Sequence, residues 1–150
     1  MEDLFAGQPI DIPSMLANLK KVASDLALPF GERTMTYNSR LAQELGKWAE
    51  ANELGKAFHH AVFLAYFRDG ENIARHETLI RICKKIGLDG NRAKTVLDKR
   101  TFKASVDRDW RKSQQMEINA VPTFVFAGQR LVGAQPYEAL ERFIQTPHAN

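Results

Sequence analysis

Apolar residues recur at three- and four-residue spacing along most of this chain, the mark of helices with one buried face. Met15, Leu16, Leu19, Val22, Ala23 and Leu26 form the first stripe. Asp11-Ile12-Pro13 opens that helix, because Asp accepts from orphan N–H groups and a first-turn Pro sacrifices a donor that had no partner. Leu28-Pro29-Phe30-Gly31 stops it. A second helix starts at a cap on Asn38 or Ser39 and turns Leu41, Leu45, Trp48 and Ala49 inward, until 52–55 breaks it. The third, about 56–68, is apolar nearly all round: Phe58, Ala61, Val62, Phe63, Leu64, Ala65, Tyr66 and Phe67. Such a pattern predicts a central helix contacted on several sides, ended by Asp69-Gly70.

From His76 to Ile86 a fourth helix points Leu79, Ile82, Cys83 and Ile86 inward, with Gly87 at the left-handed exit. Asp89 caps a short fifth helix carrying Ala93, Val96 and Leu97. Phe102, Val106, Trp110, Ser113 and Met116 define the inner face of a sixth. The period then changes. Residues 123–127 and 130–133 are β-rich runs separated by a Gly turn, and Pro122 stands just before them. Pro136 opens a last helix with Tyr137, Leu140, Phe143 and Ile144 inward. Residues 1–10 carry little periodicity and predict an arm or loop; the tail Pro147-His148-Ala149-Asn150 should fray.

The expected fold class is therefore α+β, mostly helical: about seven helices and two strands in one domain over 1–150. A lone hairpin is marginal in water. It should pack on the final helix and part of the helical body, and its outer edges invite a further strand. That strand could come from residues 1–10 or from a second chain, including an identical one, unless helix covers the edge.

Composition narrows the chemistry. With 150 residues, 44% hydrophobic and 26% charged, the chain is an ordinary globular domain that needs no metal or disulfide to fold. Its net charge of +3 is spread among interspersed signs, which does not point to nucleic acid. No stretch approaches the roughly 18 apolar residues of a membrane span. Met1-Glu2-Asp3-Leu4 lacks the features of a signal peptide, so the sequence as written predicts a cytoplasmic protein.

Cys83 is the sole cysteine; no C-x-x-C pair exists, and its position predicts a core residue. His59 and His60 are adjacent and face apart, and His76 and His148 have no ligand-spaced partners, so no metal is expected. No phosphate-binding Gly loop or Ser/His/Asp set is present. The aromatic run Phe58, Phe63, Tyr66 and Phe67 reads as core, although a ligand pocket at that place stays open.

The order of these segments resembles the DsbA-like thioredoxin superfamily, specifically its FrnE-like and 2-hydroxychromene-2-carboxylate isomerase-like branch. The C-terminal likeness lies in Ala120-Val121-Pro122-Thr123-Phe124, the strand pair and Gly133-Ala134-Gln135-Pro136. The middle likeness lies in Leu28-Pro29-Phe30, Asn38-Ser39-Arg40-Leu41-Ala42, Trp48-Ala49 and Ala65-Tyr66-Phe67. It covers about residues 5–145. It implies that 12–117 is the helical insertion of such a domain and that 118–146 is its C-terminal hairpin and helix, a partial thioredoxin-like fold. Members of the branch begin with a strand, a helix opened by the catalytic cysteine or serine, and a second strand. None of these precedes Leu4, so a truncated domain is expected.

The resemblance also implies a cis Val121–Pro122 bond in a loop facing the catalytic site, where the backbone of Val121 pairs with a bound peptide or thiol substrate. Val121 and Pro122 are thus the candidate substrate-binding residues, and no catalytic residue is assigned. Three readings follow. The chain is a member or fragment of a protein thiol–disulfide oxidoreductase family, inactive alone. Alternatively it is a relic of a glutathione-linked isomerase or kappa-type transferase, with glutathione as ligand. In the third reading it is a non-enzymatic interaction module that recruits a strand, or a second copy, through the hairpin edge.

Overall fold

The computed structural model describes residues 11–32 and 35–145; the expectations for residues 1–10 and for the tail after Gln145 lie outside them. Among the described residues, seven helices and one antiparallel hairpin follow in the order the sequence predicts. They form two compact units that divide between Val106 and Asp107.

Helix starts are fixed by short polar side chains. The Asp11 carboxylate accepts from the Ser14 N–H at 3.2 Å and the Ser14 hydroxyl at 2.5 Å, opening α1 (Ile12–Asp25). Asp89 Oδ1 accepts from the Asn91 and Arg92 N–H groups at 2.7 and 2.8 Å, opening α5 (Gly90–Lys99). At α2 (Arg40–Glu50) only Asn38 of the two expected caps meets a backbone N–H; the side chain of the N-cap residue Ser39 makes no cap bond. Asn38 Oδ1 accepts from the Arg40 N–H at 2.8 Å, and the Ser39 hydroxyl accepts from the Gln43 amide at 2.9 Å.

The core of the first unit is made by α2, α3 (Gly55–Phe63), α4 (His76–Lys85) and α5. Leu45, Ala49, Phe58, Leu79, Cys83, Ala93 and Leu97 are shut off from solvent. Gly87 leaves α4 at φ +90, and the Leu88 N–H donates to the Cys83 carbonyl at 2.9 Å. This left-handed exit turns the chain back so that α5 returns against α4.

Helix α3 does not continue regularly to residue 68. It passes into a π-helical turn over Leu64–Arg68, where the Asp69 N–H donates to the Leu64 carbonyl five residues back, at 3.0 Å. Packing against α2 and α4 takes one face, burying Phe58, Val62 and Ala65. Phe63 and Phe67 stay exposed, so the helix is not enclosed on several sides as its composition suggested. Backbone pins the preceding stop segment here. The Gly31 N–H donates to the Phe67 carbonyl at 2.9 Å, and any Cβ at Gly31 would overlap the Arg68 carbonyl oxygen.

Three predicted inner stripes are only partly covered. In α1, Ala23 is buried while Leu19, Val22 and Leu26 are exposed, because the stripe borders an open groove and not a closed core. In α6 (Lys103–Gln115), Val106 is buried but Trp110 and Ser113 are exposed; the core of the first unit ends at Val106. In α7 (Tyr137–Gln145), Leu140 and Phe143 are half-buried and Tyr137 and Ile144 exposed, since two four-residue strands offer a narrow surface.

One buried charge escaped the sequence reading. Glu44, 2% exposed, sits within α2. Arg100 grips it bidentately, Nε to Oε2 at 2.7 Å and Nη2 to Oε1 at 2.6 Å, and Arg40 Nε reaches Oε1 at 2.7 Å. Arg40 Nη2 also donates to the Lys103 carbonyl at 3.0 Å. The cluster ties α2 to the turn between α5 and α6. The Arg100 hydrogen bonds hold the Glu44 carboxyl below the usual glutamate range, outweighing the upward push of burial. A carboxyl depressed on folding contributes stability above its unfolded pKa, near 4.5, and loses it as pH falls through the folded value. Glu44→Gln should therefore cost about 3 kcal/mol at neutral pH. It should also remove part of the acid-side decline in melting temperature; an acid limb unchanged in the variant would show that other groups cause it.

Candidate functional site

The second unit is organised around β1 (Thr123–Phe126) and β2 (Gln129–Val132). Their register pairs Thr123 with Val132 and Phe126 with Gln129. Ala127 and Gly128 both take positive φ, +47 and +78. A two-residue turn of that hand matches the twist of the strands, and Gly supplies the second position without strain. Arg130 anchors the hairpin to the end of α6, donating to the Met116 carbonyl at 2.6 Å and to Glu117 at 2.8 Å. Helix α7 packs on the hairpin through Phe126 and Phe143, whose rings lie 6.5 Å apart and nearly edge-on.

The candidate residues lead into β1. The Val121–Pro122 bond is cis, as expected. Val121 is 89% exposed. The Pro122 carbonyl accepts from the Gly133 N–H at 2.8 Å, and the Thr123 hydroxyl donates to the Ala120 carbonyl at 2.6 Å. So Pro122 turns its backbone toward β2, while Val121 stands in solvent at the head of the strand. Beside this edge, Phe124, Tyr137, Leu140 and Ile144 line an apolar groove of about 390 Å³.

The thiol lies elsewhere. Cys83 is in α4, fully buried in the helical core, and burial pushes it up to about 12. A nucleophilic thiolate needs the opposite setting, near positive charge and open to substrate. The imidazoles are surface groups: His59 lies 3.3 Å from Glu50 and His76 3.5 Å from Asp98. Among the described residues no three ligand-type side chains cluster as a metal site, and His148 lies outside them.

The aromatic run splits in two. Phe58 is core, but Phe63 and Phe67 form a ridge between two grooves. One, of about 420 Å³, is apolar and lined by Leu19, Val22, Leu28, Phe30 and His60. The other, of about 400 Å³, adds Tyr37, Gln43, His59 and Tyr66. The unburied apolar residues of α1 were the sequence signal for the first groove, but spacing alone assigned them to a core.

Residues 2–145 match the model of the DSBA-like thioredoxin domain. The chain belongs to this family. Among curated proteins it is similar to the uncharacterised protein YwbO of Bacillus subtilis (strain 168), 31% identical over 106 residues. That alignment takes in 69% of this chain and 52% of YwbO, so the chain spans about half the length of the curated relative it matches. The family's fold thus accounts for the helical region and the hairpin, and the single cysteine of the sequence is not part of a C-x-x-C pair.

Because the buried thiol stays neutral when folded and ionises near 9 when released, its raised pKa lowers stability as pH climbs from about 9 toward about 12. Below pH 9 Cys83→Ala should cost about 1 kcal/mol from lost packing. That gap should shrink, or reverse, in alkaline denaturant titrations; a gap constant from pH 7 to pH 11 would contradict a buried thiol.

Proposed function

We propose that this chain is the substrate-side portion of a DsbA-like thiol–disulfide oxidoreductase domain, which by itself carries out no disulfide exchange. The observation that supports this reading is the family match over residues 2–145 together with one cysteine held in the helical core. Exchange needs a thiolate to attack a disulfide and a second thiol to resolve the mixed disulfide. Cys83 meets neither need.

What remains is a surface suited to hold an extended chain. Val121 stands exposed at the head of β1, and among the described residues β1 pairs only with β2. A peptide or other thiol substrate laid along Val121 and Pro122 would pair main chain to main chain, with alternate side chains falling toward the adjoining apolar groove. Glutathione, a tripeptide thiol, could use the same backbone. It is the ligand of the alternative reading as an isomerase or transferase relic.

Insulin reduction followed by turbidity tests the proposal. The chain should give no turnover above a Cys83→Ala control; reproducible turnover above it would overturn the reading. Calorimetry separates the alternative. Glutathione should give flat heats, and saturable binding abolished by Val121→Pro would favour the isomerase-like relic.

A further inference from the structure

We propose that residues 28–32 are a clamp that imposes the π-helical register on Leu64–Arg68 and so sets where Phe67 stands in the two grooves of the first unit. The run Leu64-Ala65-Tyr66-Phe67-Arg68 holds no Pro or Gly that would itself widen a helix. A wide turn gives up the regular ladder, and a backbone departure of this kind persists where its surroundings hold it.

The hydrogen bonds show what holds this one. In a regular α-helix the Leu64 carbonyl accepts from Arg68, the Ala65 carbonyl from Asp69 and the Phe67 carbonyl from Glu71. Here the Asp69 N–H donates to the Leu64 carbonyl at 3.0 Å, and the Glu71 N–H passes over the turn to the Ala65 carbonyl at 2.8 Å. The Phe67 carbonyl is thereby left for a donor outside the helix, and the Gly31 N–H takes it at 2.9 Å.

Two glycines let the backbones meet, one on each side. A Cβ at Gly31 would overlap the Arg68 carbonyl oxygen. Gly70, at φ +66, turns the chain out of the helix, and a Cβ there would come within 3.2 Å of the Glu32 carbonyl oxygen. The approach is reciprocal, each segment presenting a carbonyl to the other's glycine. Withdrawing the extra residue of the wide turn would rotate the chain beyond it by about 100° and carry Gly70 away from Glu32. Register and clamp therefore require each other.

Phe67 carries the consequence. Its ring centroid lies 6.2 Å from that of Phe30 in the clamp, 6.1 Å from that of Phe63 and 4.9 Å from that of Tyr66. The same ring lines both grooves. One backbone contact, wholly inside the first unit, thus fixes a wall common to two cavities.

Scalar couplings across hydrogen bonds, read by nuclear magnetic resonance, identify the donor on each carbonyl and test the proposal. In the unaltered chain the Leu64 carbonyl should couple to the Asp69 amide. In Gly31→Ala it should couple to Arg68 or to neither. The Asp69 and Glu71 amides should then exchange with solvent about tenfold faster, while those of Leu79 and Leu97 in the core keep their protection. Because the alanine variant could fail to fold, exchange in the unaltered chain supplies an independent readout. There the Gly31, Asp69 and Glu71 amides should open together, at lower denaturant than Leu79 and Leu97. A Leu64–Asp69 coupling retained in folded Gly31→Ala would overturn the proposal. So would an Asp69 amide of the unaltered chain that stays protected after Gly31 has opened.

Discussion

Everything in this molecule's chemistry is governed by where one thiol is allowed to be. Helix α4 exists as a stable element because Leu79, Ile82 and Cys83 fill the space against α2, α3 and α5. That burial is what removes the thiol from solvent and suppresses its ionisation. The stability of the helical core and the silence of its cysteine are thus one physical fact. A chain that used Cys83 as a nucleophile would have to open its own core.

The second unit carries the opposite character. Its strands are short, its helix α7 has no fully buried residue, and its apolar side chains are half in water. Here the backbone is the chemically available group. Among the described residues this unit presents strand backbone and half-exposed apolar surface, while the thiol is shut inside the helical core of the other unit. The family assignment gives the fold; the burial of Cys83 and the exposure of Val121 are the observations from which the proposed function is argued.

Much of this was legible in the sequence where a local rule acts alone. Asp11 and Asp89 cap helices because their carboxylates reach N–H groups within their own turn. Gly87 exits α4 because glycine tolerates that backbone, and the period change at Thr123 marks strands. The family likeness, carried by Ala120 to Phe124 and the helical segments before it, was also visible. What stayed hidden depends on neighbours distant in sequence. Glu44 looks like a solvated helix glutamate until Arg100, 56 residues away, closes on it. Leu19 and Val22 have core spacing, yet spacing cannot say whether a partner surface exists. The π-helical turn after Phe63 follows no obvious local signal. The expected role of Val121 and Pro122 came from resemblance, since nothing in their own chemistry announces a binding residue.

The most direct measurement is the native-state labelling rate of Cys83 with an aromatic disulfide reagent at neutral pH, compared with the unfolded chain. A core thiol predicts labelling slowed by several orders of magnitude and limited by opening of the helical unit, so that mild denaturant accelerates it steeply. Labelling of the native chain at a rate near that of the unfolded one would contradict the account, because Cys83 would then be available for exchange.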